Sequence, residues 1–380
     1  RREWTDVTLQ AANPHGAYLT IDLDAIASNW RTLLAHGKGA DCAAVVKADA
    51  YGTGIEQTGP ALAKAGCKTF FVAHLGEGER LRAVLPNATI YVLNGFPEQS
   101  GPLYKKNGLR PVLGSQDEIL EWAAFCKAEN FAGEAAIHID TGLNRLGVEP
   151  DLFRSLAASL NSKDIGFTPT LVMTHLASSE TLDTAQNDQQ TKLFDELAQL
   201  TPSIPASLCN SSAVMRDNFT RHALMRPGYA LYGGNPTPWT SNPMQPVITL
   251  TAPILQVRSI NEGERVGYNA RWLAKRPTRL AVISAGYADG LMRLPPDADK
   301  PVAEVLIGGT LCPVAGRLSM DLMIIDATDV PPARLHRGAE VTLIGGPLDI
   351  DRVGQTAGTI GYLILTSLSR RYQRRYLGGA

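Results

Sequence analysis

Eight short β-rich runs, spaced by helical stretches, constrain the fold of this chain more than any other feature. They are Ala43–Val46, Thr69–Ala73, Thr89–Asn94, Leu109–Leu113, Ala135–Asp140, Thr170–His175, Ser207–Asn210 and His222–Arg226. Ala43–Val46 is apolar from end to end, as strands buried on both faces are. A first helical segment is predicted over Leu23–Ala35. Gln116–Ala128, Leu152–Leu160 and Asp188–Leu200 also carry apolar residues at helical spacing. Such alternation builds a parallel sheet covered by helices. An open doubly wound sheet fits the pattern too, but a count of eight favours an α/β fold of the closed (β/α)8 type, a TIM-type barrel.

The texture changes after Tyr232-Gly233-Gly234-Asn235-Pro236. The stretch from Pro236 to Pro246 is rich in Pro, Thr, Asn and Ser and reads as a linker. Beyond it, β runs without matching helices are predicted at Val247–Ile260, Thr278–Ser284, Ala303–Ile307, Leu322–Asp326 and Glu340–Ile344. At 380 residues the chain exceeds one hydrophobic core. The expected division is a barrel over 16–236 and a mostly-β domain over 237–380, with residues 1–15 returning to pack on the latter.

Composition excludes several classes of function. A net charge of −1 and the lack of a long basic run argue against nucleic-acid and anionic-membrane partners. The densest basic patch, Ser-Arg-Arg-Tyr-Gln-Arg-Arg-Tyr near the C-terminus, reads as a solvated edge or a subunit contact. No stretch of about 18 apolar residues exists to span a membrane. Arg-Arg-Glu-Trp-Thr-Asp at the start has no apolar run behind it, so no secretory signal is expected and the cytoplasm is the predicted location. The five cysteines are scattered without a CxxC, which argues against a disulfide framework and a structural zinc site; no metal is expected. GxGxxG and P-loop fingerprints are absent.

In a barrel of this kind, chemistry gathers at the C-terminal ends of the strands. Those ends carry Lys47, Asp140 with nearby Arg145, His175, Asn210 with Ser211, and Arg226. Each alone has a bland explanation: a lysine that snorkels to solvent, a hydrogen-bonded core histidine, an arginine paired at the surface. Lys47 ends the apolar run Ala43-Ala44-Val45-Val46, where desolvation lowers an amine's pKa and makes it nucleophilic. The small-residue turn Ala-Asp-Ala-Tyr-Gly-Thr-Gly that follows lets a ligand approach the backbone closely. A nucleophilic lysine with an arginine, a histidine and anion donors suits a phosphate-bearing aldehyde, pyridoxal phosphate.

The segments AVVKADAYGTG, DTGLNRLG, RPGYALYG, VGYNA, AGYADG and GRLSMD, in that order, closely resemble alanine racemases, and the likeness runs through nearly the whole chain. The resemblance implies a pyridoxal 5'-phosphate enzyme built from a barrel and a β domain, which interconverts L- and D-alanine and supplies D-alanine for peptidoglycan. By it, Lys47 holds the cofactor covalently and acts as the base on one face of the substrate. Tyr51, Ser211, Tyr362 and the backbone N–H groups of Gly228 and Tyr229 hold the phosphate. Arg226 faces the pyridine nitrogen, and His175 supports it. Tyr268 is the second base, Arg145 and the backbone of Met320 bind the substrate carboxylate, and Tyr287 and Asp321 line the entrance. Tyr268 and Met320 then come from the other subunit of a homodimer with composite sites.

Two positions depart from the family pattern. Many members have a lysine, carbamylated, where this chain has His138. Histidine cannot carry that carbamate, so Arg145 must be oriented by another side chain or a bound anion. Ser319 replaces a cysteine common in GRLSMD-type motifs. The alternatives are a serine-preferring or broader racemase of the same family and a non-catalytic pyridoxal phosphate carrier. Tyr268 argues against the carrier, which needs no second base. Arg226 argues against related decarboxylases, where an acidic residue usually faces the ring nitrogen.

Overall fold

The computed structural model describes residues 16–182, 184–292 and 303–379. The chain forms two compact units: Asp22–Val247, and the segment ending at Ile21 joined with Ile248–Leu377. In the first, Ala44–Val45, Thr69–Val72, Thr89–Val92, Arg110–Leu113, Glu134–His138, Thr168–Met173 and Ala206–Ser207 pair in parallel in chain order. Leu224–Met225 closes the ring, pairing in parallel with Asp41–Cys42, which leads straight into Ala44–Val45. The N–H groups of Asp41, Ala43 and Val45 donate to the carbonyls of Ala223, Met225 and Pro227 at 2.9, 2.9 and 3.0 Å. On the other side, Ala223 and Arg226 donate to Ala206 and Cys209 at 3.1 and 2.8 Å. The predicted eight-stranded barrel is therefore present.

Sequence explains why these strands face inward and outward alike. Phe70, Phe71, Ile90, Val112, Ala136 and Val172 are all buried, leaving no polar face to wet. Helices cover the outside. Leu23–Ala35 is N-capped by Asp22, whose Oδ1 accepts from Ala25 N–H at 2.9 Å. Gln116–Ala128 has the predicted bounds and buries Trp122 in an aromatic cluster with Phe96, Tyr104, Phe125 and Phe131. The other two predicted helices run over Pro150–Ser162 and Ala185–Ala198.

The second unit is an antiparallel sheet organised on the 13-residue strand Ile248–Ile260. That strand pairs with Tyr18–Asp22, Thr278–Ile283 and Glu340–Ile344. Glu304–Ile307, Thr310–Pro313 and Met323–Asp326 extend it. Elements of this unit beyond those predicted include the strands Tyr18–Asp22, Thr310–Pro313 and Gln373–Leu377 and the short helices Ile350–Thr356 and Gly361–Thr366. The packing predicted for residues 1–15 lies outside the described residues. The basic C-terminal patch includes Gln373–Leu377, an edge strand beside Tyr18–Asp22, with the Arg375 guanidinium 3.5 Å over the Tyr18 ring. All five cysteines are buried and unpaired, and burial pushes the thiols of Cys42, Cys67, Cys126, Cys209 and Cys312 upward. Among the described residues no helix is long and apolar enough to cross a membrane.

Candidate active site

Lys47 follows the buried run Ala43-Ala44-Val45-Val46 at the C-terminal end of its strand. The chain then does something its sequence does not announce. Ala48, Asp49, Ala50 and Tyr51 all adopt φ between 52° and 56°, a left-handed turn continued by Gly52 at φ 80°. L-residues avoid this region at a cost of about 1–2 kcal/mol each, so the turn is held by its surroundings. Within it, Ala50 N–H donates to Val46 O and Gly52 N–H to Ala48 O, both at 2.9 Å. Burial holds the Lys47 amine below its usual pKa, Arg145 adds to that, and Glu77 opposes it.

Arg226 enters the same rim from the last strand. It is buried, its Nη1 donating to Ser207 Oγ and its Nη2 to the Thr174 carbonyl at 2.5 Å. No carboxylate pairs with it among the described residues. Burial brings its pKa down to about 10, which still leaves the guanidinium charged at neutral pH. Two histidines sit within reach of its field. Burial, then Arg226 and Arg145, lower His175 to about 3 and His138 to about 4, so both rings are neutral at pH 7. Arg145 is exposed on the loop after Glu134–His138. That loop is shaped by Asp140, whose Oδ1 accepts from the N–H groups of Gly142, Leu143 and Asn144 at 2.9, 3.0 and 3.1 Å.

Ser211 and the loop after the last strand meet Tyr51, four residues beyond Lys47. Ser211 Oγ accepts from Gly228 N–H at 3.0 Å and Ala230 N–H at 3.2 Å. Gly228 has no side chain for a steric reason: a Cβ there would lie 2.4 Å from Tyr51 Oη. Tyr51 is locked by stacking on Tyr232 at 4.6 Å between ring centres, and Tyr232 Oη donates to Val45 O at 2.9 Å. Burial raises the Tyr51 pKa, so its hydroxyl stays a donor. Tyr229 is buried with its ring against Gly234. The barrel unit thus brings together Lys47, Tyr51, Arg145, His175, Ser211, Arg226, Gly228 and Tyr229. The sequence reading missed Ser207, Thr174 and Tyr232; Ser207 and Thr174 were signalled by their place at strand ends, and Tyr232 by lying in the segment RPGYALYG.

Tyr268, Tyr287, Met320, Asp321 and Tyr362 belong to the β unit. Tyr268 stands 64 % exposed on the turn Tyr268–Ala270, just after Gly267 at φ 75°. Tyr287 and Ala288 N–H donate to the Ser319 and Met320 carbonyls, both at 3.0 Å, so two of the motif loops are stitched together. A Cβ at Gly286 would lie 2.2 Å from Met320 O, so only glycine allows this approach. Asp321 accepts from Arg371 at 2.8 Å. Tyr362 is exposed on the helix Gly361–Thr366.

A closed parallel barrel with a lysine and a buried arginine at one rim, carried with a separate β unit, defines a barrel-plus-β protein. Residues 21–236 match the family described as alanine racemase, N-terminal domain, and residues 247–376 match alanine racemase, C-terminal domain. The alanine racemase of Methylobacterium sp. (strain 4-46) is 54% identical over 369 residues, 97% of this chain and 100% of the relative. That of Methylobacterium nodulans is 54% identical over 374 residues, 98% of this chain and 99% of the relative. A solved alanine racemase from Bartonella henselae, with covalently bound pyridoxal phosphate, superposes with a TM-score of 0.89 at 37% identity, covering 96% of this chain and 100% of its own. The chain belongs to the alanine racemase family.

Proposed function

We infer that this chain interconverts L-alanine and D-alanine with pyridoxal 5'-phosphate, using Lys47 and Tyr268 as the two bases. The observation that carries the reading is Lys47 at a strand end and, on the same barrel rim, a buried Arg226 that pairs with no carboxylate among the described residues. The donor set fits the cofactor. Ser211, the Gly228 backbone and Tyr51 surround a cradle that a Cβ would fill, suited to phosphate; Tyr229 and Tyr362 would complete it. When bound, the cofactor supplies the conjugated electron sink that makes the substrate Cα–H acidic.

Racemisation needs a proton removed from one face of Cα and returned on the other, and one base reaches one face only. Lys47 carries the proton on its face, since a lowered pKa leaves more of the amine neutral to accept it. Tyr268 serves the opposite face. Arg226 keeps its protons at neutral pH and would meet the cofactor nitrogen as a donor that hands nothing over. His175, held neutral beside it, adds no second charge. Arg145 and the Met320 backbone would bind the substrate carboxylate, with Tyr287 and Asp321 at the entrance. In this reading the barrel unit Asp22–Val247, rather than the expected 16–236, holds the cofactor, because Tyr18–Asp22 pairs into the β sheet; the β unit supplies the second base to a neighbouring copy in a homodimer. The enzyme acts in the cytoplasm, supplying D-alanine for peptidoglycan.

The test joins a spectrum to an assay. The purified protein should show the band near ~420 nm of lysine-linked cofactor and racemise L-alanine faster than L-serine or L-lysine. No band and no turnover after added cofactor would overturn the reading. Mixing Lys47→Ala and Tyr268→Ala chains tests the dimer. With free exchange, half the dimers are mixed and each has one whole site, so about a quarter of full activity returns. No recovery under proven exchange refutes shared sites.

A further inference from the structure

Glu77 and Glu118 occupy equivalent places in the barrel. Each is the third residue of a helix that follows a barrel strand, Glu77 in Leu75–Val84 and Glu118 in Gln116–Ala128. Each carboxylate ties its own helix entry to a loop from the preceding strand. Glu118 Oε2 accepts from Gly114 N–H at 2.7 Å and its Oε1 from Phe96 N–H at 2.9 Å. Glu77 Oε2 accepts from Ala73 and His74 N–H at 2.9 and 3.2 Å, and its Oε1 from Asp49 N–H at 3.2 Å. The difference lies in what the clamped loop carries. Phe96 packs in the aromatic cluster; Asp49 sits in the left-handed turn, two residues after Lys47.

Asp49 is tied a second time. Its Oδ1 accepts from Ile55 N–H at 3.2 Å and from Arg80 Nη2 at 2.6 Å. Arg80, one turn along the same helix as Glu77, also grips Glu56 through Nε and Nη2 at 2.6 and 2.8 Å. A run of four L-residues in a region they avoid is thereby pinned from outside, at the residue nearest its centre. We propose that Glu77, assisted by Arg80, is a positioning residue for Lys47, fixing the left-handed turn from which the amine projects. The proposal rests on Lys47 being the cofactor-bearing amine. Glu77 is also the carboxylate that offsets the effect of burial and Arg145 on that amine.

Glu118→Ala is the matched control, breaking a clamp of the same build far from Lys47 in sequence. Holoenzymes of wild type, Glu77→Ala, Glu77→Gln, Arg80→Met and Glu118→Ala are compared by melting temperature, by kcat and KM, and by the rate at which hydroxylamine abolishes the ~420 nm band. Both alanine variants lose stability. Only Glu77→Ala should lose kcat about tenfold with KM within about twofold, and lose the band about tenfold faster, because the amine is misaimed rather than missing. Glu77→Gln keeps an acceptor for Asp49 N–H and should recover part of both. If Glu77→Ala does not fold, Arg80→Met should move both readouts in the same direction. A Glu77→Ala protein indistinguishable from Glu118→Ala in both readouts overturns the proposal, as does an unmoved Arg80→Met when the alanine variant cannot be made. A wild type with neither band nor racemisation defeats the functional reading instead.

Discussion

Replacing Gly228 with alanine is the sharpest probe of the cradle. Its backbone lies at φ −127° and ψ −81°, and a side chain there meets a close neighbour. The new Cβ would meet Tyr51 Oη at 2.4 Å, Cζ at 3.1 Å and Cε2 at 3.4 Å. Tyr51 cannot step aside freely, being buried and stacked on Tyr232. Overpacking of this kind costs about 1–3 kcal/mol. For a unit of this size, that lowers the melting temperature by roughly 2–12 °C. On the proposed function, moving Tyr51 and the Gly228 N–H would also remove one or two hydrogen bonds to phosphate, so cofactor affinity should fall about tenfold to a hundredfold. The decisive comparison is Tyr51→Phe in both backgrounds, by calorimetry and by cofactor titration of the apoprotein. Alone, it should destabilise by losing a hydroxyl. With Gly228→Ala it removes the closest contact and should raise the melting temperature. If Tyr51→Phe lowers it equally in both backgrounds, the two residues do not touch and the account of the cradle fails.

Two further outcomes follow from the barrel rim. Gly147 sits at φ 128°, and a Cβ there would lie 2.5 Å from Asp140 N, a backbone atom that cannot yield. Gly147→Ala should cost about 2–5 kcal/mol and raise KM for alanine more than it lowers kcat, since the shifted loop carries Arg145; an unchanged KM would count against Arg145 as a substrate ligand. The histidines predict a pH effect. Folded His138 and His175 resist protonation down to about 4 and about 3, whereas the unfolded chain takes up those protons near 6.5. Stability therefore falls as pH drops through that window, by about 1.4 kcal/mol per unit for each ring. Urea unfolding at about pH 6 and about pH 4.5 should show the difference shrinking by about 2 kcal/mol in His138→Gln. Parallel profiles would show that His138 titrates normally.

The barrel was legible because its strands are buried on both faces, and runs such as Thr-Phe-Phe-Val or Thr-Ile-Tyr-Val have no other place in a soluble fold. The helices Ile350–Thr356 and Gly361–Thr366 were not, since seven and six residues are too short to display a 3.6-residue period. Tyr18–Asp22 was hidden by running directly into a helix. At the site, Lys47 stood out as a charge ending an apolar run. The hand of the turn after it did not, because Ala-Asp-Ala-Tyr carries no local preference for φ above zero; that conformation is imposed by groups distant in sequence, Glu77 and Arg80 among them. Tyr268 and Met320 are exposed loop residues without periodicity, so only the family resemblance singles them out.

The strand Tyr18–Asp22 lies between Ile248–Ile260 and Gln373–Leu377, so the β sheet is sewn from segments that precede and follow an uninterrupted barrel in sequence. This sets an order of events during synthesis. The barrel, from Asp22 to Val247, can close as soon as it has emerged, while the strand just before it has nothing to pair with. At ~5–20 residues per second, the wait for Ile248 is roughly 10–50 s. Its second neighbour, Gln373–Leu377, arrives later still. An apolar strand with open edges thus persists on a growing chain that is otherwise already folded, and this is the point at which a nascent copy is most open to pairing with the wrong partner.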